Sequence, residues 1–368
     1  MSRRRAWLVN ALFAVAAVVL GAALGEAGLR LVYPQPLGVW HHDPAGLALH
    51  WPGLVTYLPQ FGHTVSFSSA GMRDRERAVE RPAGVFRILV LGDSFMEALQ
   101  VPFEASFPSL LERGLERKAG KRFEVLNASV SGWGTDDELQ YLTTYGMKWK
   151  PDLVLVAMTL HNDISENLLE RFHTMRNGSL VEQDRAGSSF LGYKVTQLKG
   201  FLATRSHAYQ LGRQAWHGRA RQSEARQLRS HVVELFREPT HGRLARGLTL
   251  TGLLLERIRA VATAGGGRAA VVLVPLNVQI SDETFDEFVR SANETALGMQ
   301  VDKPQRLVRQ VVEQLGIPMI DLLPDFRRWT AASGGGLYLE RDGHWNESGH
   351  RLAADVVAAW LIDRAVAR

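Results

Sequence analysis

The chain has 368 residues, 46% of them hydrophobic and 22% charged, with a formal net charge of +5. This composition excludes a disordered polymer, and the length can hold one large α/β domain or two smaller ones. No cysteine is present, which excludes disulfides, thiolate catalysis and cysteine-ligated zinc. The excess arginines are scattered and form no basic block interleaved with aromatics, so nucleic acid is not an expected partner.

Arg3, Arg4 and Arg5 precede a nearly unbroken apolar run from Ala6 to Leu24. At 1.5 Å per residue the run reaches roughly 28 Å, about one hydrocarbon core. The arginines are expected to stay cytoplasmic, which places the remainder outside the inner face. A cleaved signal has a shorter core, roughly 7–15 residues, followed by a small-x-small site. The longer core, and a helical pattern continuing through Glu26 and Leu31 to Pro34, favour an uncleaved signal anchor over a cleaved signal. In either reading the bulk of the protein is exported. Residues 1–33 are thus assigned to the arginine cluster and one transmembrane helix in the cytoplasmic membrane, with the rest periplasmic or extracellular.

Residues 34–84 are rich in Pro, Gly and His and are expected to form a linker with one or two short edge strands. His41-His42-Asp43 has no partner cluster at ligand spacing, so no metal is expected there. From residue 85 a repeating pattern begins. Continuous apolar runs at 86–91, 151–160 and 268–276 predict buried strands, with a strand ending near Asn127 and a short fifth at 318–323. Helices are expected at 107–118, 135–148 (Thr135 as its N-cap), 246–264 and 303–315, with a last one running from Asn346. This alternation predicts an α/β domain over 85–368: three α/β/α layers around a mostly parallel five-stranded sheet. Such a sheet places its site at the carboxyl ends of the strands. The interval 166–247 breaks the alternation and reads as a polar, helical insertion or lid of illegible function.

Four fragments fall at predicted strand ends or in the last loop. Gly92-Asp93-Ser94 ends the first strand and can expose a hydroxyl nucleophile. In "NASVSGWGT" (127–135), Gly132 and Gly134 can bring backbone N–H groups close to an oxyanion. Asn162, in "TLHNDI" (159–164), can donate to the same oxyanion. In "ERDGHWNESGH" (340–350), Asp342 and His344 flank Gly343, which allows the tight turn that lets the carboxylate orient the imidazole. His350 has no flanking carboxylate and is the poorer candidate base. Each fragment alone is ordinary turn chemistry, and their ordered conjunction is not.

Together these fragments resemble the Ser, Gly, Asn and His blocks of the SGNH/GDSL hydrolase family, over roughly residues 85–163 and 265–366. The resemblance implies the flavodoxin-like SGNH fold, Ser94, Asp342 and His344 as catalytic residues, and an oxyanion hole from Ser94, Gly132 and Asn162. It implies no metal and no cofactor. Two departures stand out: His161 precedes Asn162 where the family often has glycine, and the usual Asp position three before the His is Arg341. Asp342-x-His344-Trp345 followed by Asn346 is similar to the alginate O-acetylation branch of the superfamily. That similarity implies an acyl, above all acetyl, ester of an exported carbohydrate as substrate, with transfer through an acyl-serine to water or to a sugar hydroxyl. By analogy with O-acetylation systems it also implies a membrane-bound acyl-donor protein. The alternatives are a lipid-directed esterase at the membrane surface and a non-catalytic carbohydrate-binding component of a modification system.

Overall fold

The computed structural model describes residues 3–183, 190–240, 242–292, 298–333, 336–340 and 342–364; Arg341 lies outside them. Ahead of the sheet come the helix α1 (Arg3–Val32) and two antiparallel hairpins, β1 (Trp40–His42) with β2 (Ala48–His50) and β3 (Val55–Leu58) with β4 (His63–Ser66). Then follow β5 (Phe86–Gly92), α2 (Ser94–Glu97), α3 (Phe107–Ala119), β6 (Phe123–Asn127), α4 (Thr135–Tyr141), β7 (Leu153–Thr159) and α5 (Leu160–Asn167). Next are the hairpin β8 (His173–Arg176) and β9 (Ser179–Glu182), α6 (Phe190–Arg205), α7 (His207–Phe236) and α8 (Gly242–Ala264). The chain closes with β10 (Arg268–Val274), α9 (Asp282–Ser291), α10 (Lys303–Gln314), β11 (Met319–Asp321), α11 (Leu323–Ser333) and α12 (Glu347–Asp363).

The apolar runs form a five-stranded sheet in the order β11-β10-β7-β5-β6, parallel throughout. Every residue of the central strand β7 is buried, as expected of a strand covered on both faces. The core on one face takes its side chains from α3, α11 and α12, among them Leu111, Leu115, Phe326, Val357 and Leu361. The core on the other takes them from α4, α5, α8 and α10, including Leu139, Ile164, Leu254 and Val308. A sheet between two helical layers is the architecture that the alternation predicts, and it delivers the ends of β5, β6, β7 and β10 to one edge.

Three differences from the sequence reading affect the site. Asn162 does not sit at a strand terminus but in the first turn of α5, because β7 stops at Thr159. Gly134, rather than Thr135, is the N-cap of α4, which becomes a π-turn at Leu142–Gly146 instead of running to residue 148. The 166–247 insertion opens on the β8–β9 hairpin before its helices, and the carboxyl end of α7 is core: Val233, Leu235 and Phe236 are buried.

Residues 34–84 carry four short strands rather than one or two, and this strap is tied to α2 and to the start of β5. Two buried arginines hold the strap. The Arg73 guanidinium donates to the carbonyls of Glu97, Ala98 and Val101, just after α2. Arg87, at the start of β5, donates to the carbonyls of Ala78, Val79 and Trp149 and pairs with Glu124. The α1 helix is apolar over Trp7–Val32, with a mean hydropathy of 2.3, and this stretch is exposed. It is therefore long and apolar enough to cross a membrane.

Candidate active site

The turn after β5 is fixed by lack of space. A Cβ on Gly92 would come within 2.7 Å of Met96 Cγ and 3.2 Å of the Ala157 carbonyl on neighbouring β7, so any larger residue would displace α2. The Asp93 side chain caps α2 by accepting from Phe95 N at 3.0 Å, which puts Ser94 at the first position of a four-residue helix. Asp93 also accepts from Thr159 Oγ1 at 3.0 Å and from Asn162 Nδ2 at 2.7 Å. One carboxylate thus joins the Ser94 turn to the end of β7 and the start of α5. Burial pushes the Asp93 pKa up, and the three donated hydrogen bonds oppose that push.

The final loop, Asp342-Gly343-His344-Trp345-Asn346, is a tight hairpin built residue by residue. Leu339 N donates to His344 O at 2.8 Å and Gly343 N donates to Leu339 O at 2.8 Å, which closes the turn. Gly343 has φ +79°, a conformation that disfavours side chains, and so turns Asp342 back onto the His344 ring. The ring's Nδ1 is hydrogen-bonded to Asp342 Oδ1. The fully buried Trp345 packs edge-on to Phe95 at 5.2 Å and anchors the loop beside α2. Asn346 Oδ1 caps α12 by accepting from Ser348 N at 2.9 Å and Gly349 N at 3.0 Å.

These two turns meet. Ser94 Oγ lies 2.7 Å from His344 Nε2, close enough for the hydroxyl to donate to the imidazole. Burial lowers the His344 pKa, but the Asp342 contact outweighs it, with help from Asp93 and Glu97, and the net shift is upward. The same hydrogen bond from His344 holds the Asp342 carboxyl below the usual aspartate range. The Phe95 ring, 4.9 Å from the imidazole, covers one side of it.

A cavity of about 400 Å³ opens onto this line of groups. Ser94, His161, Asn162, Asp342 and His344 line its polar side, and Val232, Leu276, Val278 and Phe288 its apolar side. Val232 belongs to α7, so the insertion supplies part of the wall. His161 is pushed down to about 4, chiefly by burial and then by His344, and stays neutral; its Nδ1 has no partner. Gly132 is not among the residues lining the cavity. It lies in the next turn, where its carbonyl accepts from Arg171 Nη1 at 3.4 Å while Ser131 is tied to Glu97. Gly134 packs against Glu166 and Asn167 of α5. His350 is buried on α12, where its Nδ1 accepts from Phe107 N at 3.3 Å; burial depresses it to about 3 and keeps it neutral. Among the described residues no group of three or more His, Asp or Glu is placed to hold a metal.

Sequence reasoning passed over two supporting residues. Asp93 was visible only as part of a turn, although it orients Asn162. The Glu97 carboxylate is fully buried and accepts from Trp40 Nε1 at 2.7 Å, from Ser131 N at 3.1 Å and from the Ser131 hydroxyl, with His50 Nε2 at 2.6 Å. It ties the strap, α2 and the Gly132 turn together. The one available signal was an isolated acid in the apolar stretch Phe95-Met96-Glu97-Ala98-Leu99.

Residues 239–367 match the family described as "SGNH hydrolase-like domain, acetyltransferase AlgX". An arylesterase of Vibrio mimicus is 40% identical over 72 residues, 20% of this chain and 36% of that protein, so the chain spans about a third of this curated relative. Similar solved structures include the acetyl xylan esterase AlAXEase, 13% identical with a TM-score of 0.40, covering 75% of this chain and 99% of that one. Another is a two-domain esterase active on acetylated mannans, 11% identical with a TM-score of 0.42, covering 78% and 51%. The carboxy-terminal third of the chain is thus similar to the SGNH hydrolase-like acetyltransferase family.

Proposed function

We propose that the protein is a membrane-anchored serine esterase or O-acyltransferase acting on acyl esters of an exported carbohydrate. The observation that carries the reading is the continuous line Asp342–His344–Ser94 at the mouth of the cavity. In this mechanism His344 Nε2 takes the proton of Ser94 as Oγ attacks the ester carbonyl, while Asp342 stabilises the imidazolium that forms. The oxyanion accepts hydrogen bonds from the Ser94 backbone N–H and from Asn162 Nδ2, whose other hydrogen is held by Asp93. The Gly132 N–H is the third proposed donor, from the neighbouring turn. His344 then returns the proton to the leaving alcohol, and the acyl-serine passes its acyl group to water or to a sugar hydroxyl. The match to the acetyltransferase family supports acetyl transfer, and the arylesterase likeness supports ester chemistry in general. An exported carbohydrate as the acceptor follows from the resemblance of the Asp342-x-His344-Trp345 block. Anchoring rests on α1, with its arginines on the cytoplasmic side. A membrane-bound acyl-donor protein is the partner such a transferase would need.

The apolar wall of Val232, Leu276, Val278 and Phe288 favours a second reading in which the acyl group is longer than acetyl. One assay separates these cases. The full-length protein in detergent is given nitrophenyl esters of increasing chain length, with and without polysaccharide acceptors, beside Ser94→Ala. Turnover is expected to fall by about four orders of magnitude or more in Ser94→Ala. Acceptor-dependent release of nitrophenol identifies a transferase, and indifference to acceptor identifies an esterase. Equal activity of the two proteins would contradict the catalytic reading and leave a binding role.

A further inference from the structure

The insertion joins α1 at one place. Glu26 of α1 accepts from the Ser206 hydroxyl at 3.0 Å, His207 N at 2.9 Å and Ala208 N at 2.9 Å, so it caps the start of α7. Arg30, one turn later, donates to the Arg205 carbonyl at the end of α6 at 2.6 Å. The junction of α6 and α7 is thereby pinned to the carboxyl-terminal end of the apolar helix, opposite its amino-terminal arginines. Beyond the junction, α6 packs its small residues inward: Gly200 rests on the backbone of Trp40 and His41, and Ala203 is buried. Its outer face is apolar. Leu191, Val195, Leu198 and Phe201 are exposed by 72%, 43%, 57% and 46% and fall on one stripe at helical spacing.

An exposed stripe of that size on a soluble face would be costly, and its cations indicate what covers it. Lys199 is exposed beside the stripe, and Lys194 and Arg205 are exposed within it, with the Arg205 guanidinium over the Phe201 ring at 4.5 Å. Long cationic side chains so placed reach out to lipid phosphates while their stems and the apolar residues sit among acyl chains. Next to the junction, Val55 and Tyr57 of the β3 strand are also exposed. Val55 shares with Arg30 and Arg205 the cleft between the end of α1 and that strand.

We propose that the outer face of α6 lies on the bilayer that α1 spans, with an anionic phospholipid surface as its partner. This rests on the reading of α1 as a membrane helix. It gives the insertion a role. With α6 on the membrane, α7 runs from the junction to Val232 in the cavity wall, about 39 Å at 1.5 Å per residue, so the insertion links the membrane contact to the active site.

The absence of cysteine allows single-site labelling. Leu198→Cys, Thr196→Cys and Val15→Cys variants of the full chain are labelled with one fluorophore each and reconstituted into nanodiscs of phosphatidylglycerol and phosphatidylcholine. Quenching by lipid-borne spin label is compared with quenching by aqueous iodide. The proposal expects spin-label quenching at Leu198→Cys within about two-fold of that at Val15→Cys, and iodide quenching at Thr196→Cys, off the stripe. Lipid quenching at Val15→Cys with iodide quenching at Leu198→Cys would overturn the α6 contact and leave the anchor standing. Iodide quenching at both would overturn the anchor reading and this one with it.

Discussion

His344 is poised by opposing effects: burial pulls its pKa down, and the anion of Asp342 lifts it above the ordinary value of 6.5. A general base must be neutral, so activity should be lost as pH falls through this raised pKa. Asp342→Asn removes the lifting charge and leaves the burial. Its acid limb is therefore expected at lower pH than that of the wild type, while turnover at pH 8 falls by up to about 10⁴-fold because the ring is no longer oriented. A pH–rate profile of both proteins checks the sign; an unmoved limb would mean that another group titrates. Asp93 acts at one remove. Asn162→Ala should lower turnover by about 10²–10³ with little change in KM, as expected for loss of an oxyanion donor. If Asp93 works by orienting Asn162, Asp93→Ala should cost a similar factor, and the double variant little more than either single one. Additive losses in that cycle would place Asp93 elsewhere in the mechanism.

At the scale of elements, the turn that carries Ser94 is held by residues that precede the central sheet in the chain. Arg73 reaches across from the strap to three carbonyls at the end of α2, and Glu97 binds the strap's Trp40 and His50. Arg73→Ala would take the side-chain donor from the buried Glu97 and Val101 carbonyls, while Ala98 O keeps the Val101 N–H at 3.2 Å. It is therefore expected to cost about 3 kcal/mol or more in urea unfolding and to lower turnover as well. A loss below about 0.5 kcal/mol would show that the strap is not structural. Little of this was legible, because the partners of Glu97 lie far away in sequence and leave no local pattern. The strand cores were legible, since 88–92, 153–159 and 269–274 are short apolar runs of the kind expected in strands covered on both faces. The start of α5 was hidden because Leu160 extends the apolar run of β7 past its true end. The β8–β9 hairpin did carry a signal that the helical reading passed over. Asn177-Gly178 forms its turn with φ of +49° and +79°, the signature of a two-residue hairpin loop.

Across the whole molecule, one parallel sheet gathers pieces that lie far apart in the chain: Ser94 after β5, Asn162 after β7 and His344 just ahead of α12. The Asp342–His344 spacing, shorter than the usual family pattern, is accommodated by the Gly343 turn, and the Asn346 cap sets where α12 begins. In the proposed mechanism these pieces make a covalent acyl-serine. The most direct measurement is mass spectrometry of the protein quenched early in its reaction with an activated acetyl ester. One added acetyl group per chain is expected, mapped to the peptide containing Ser94 and absent from Ser94→Ala. An unmodified Ser94 during turnover, or the same adduct on another residue in Ser94→Ala, would contradict it.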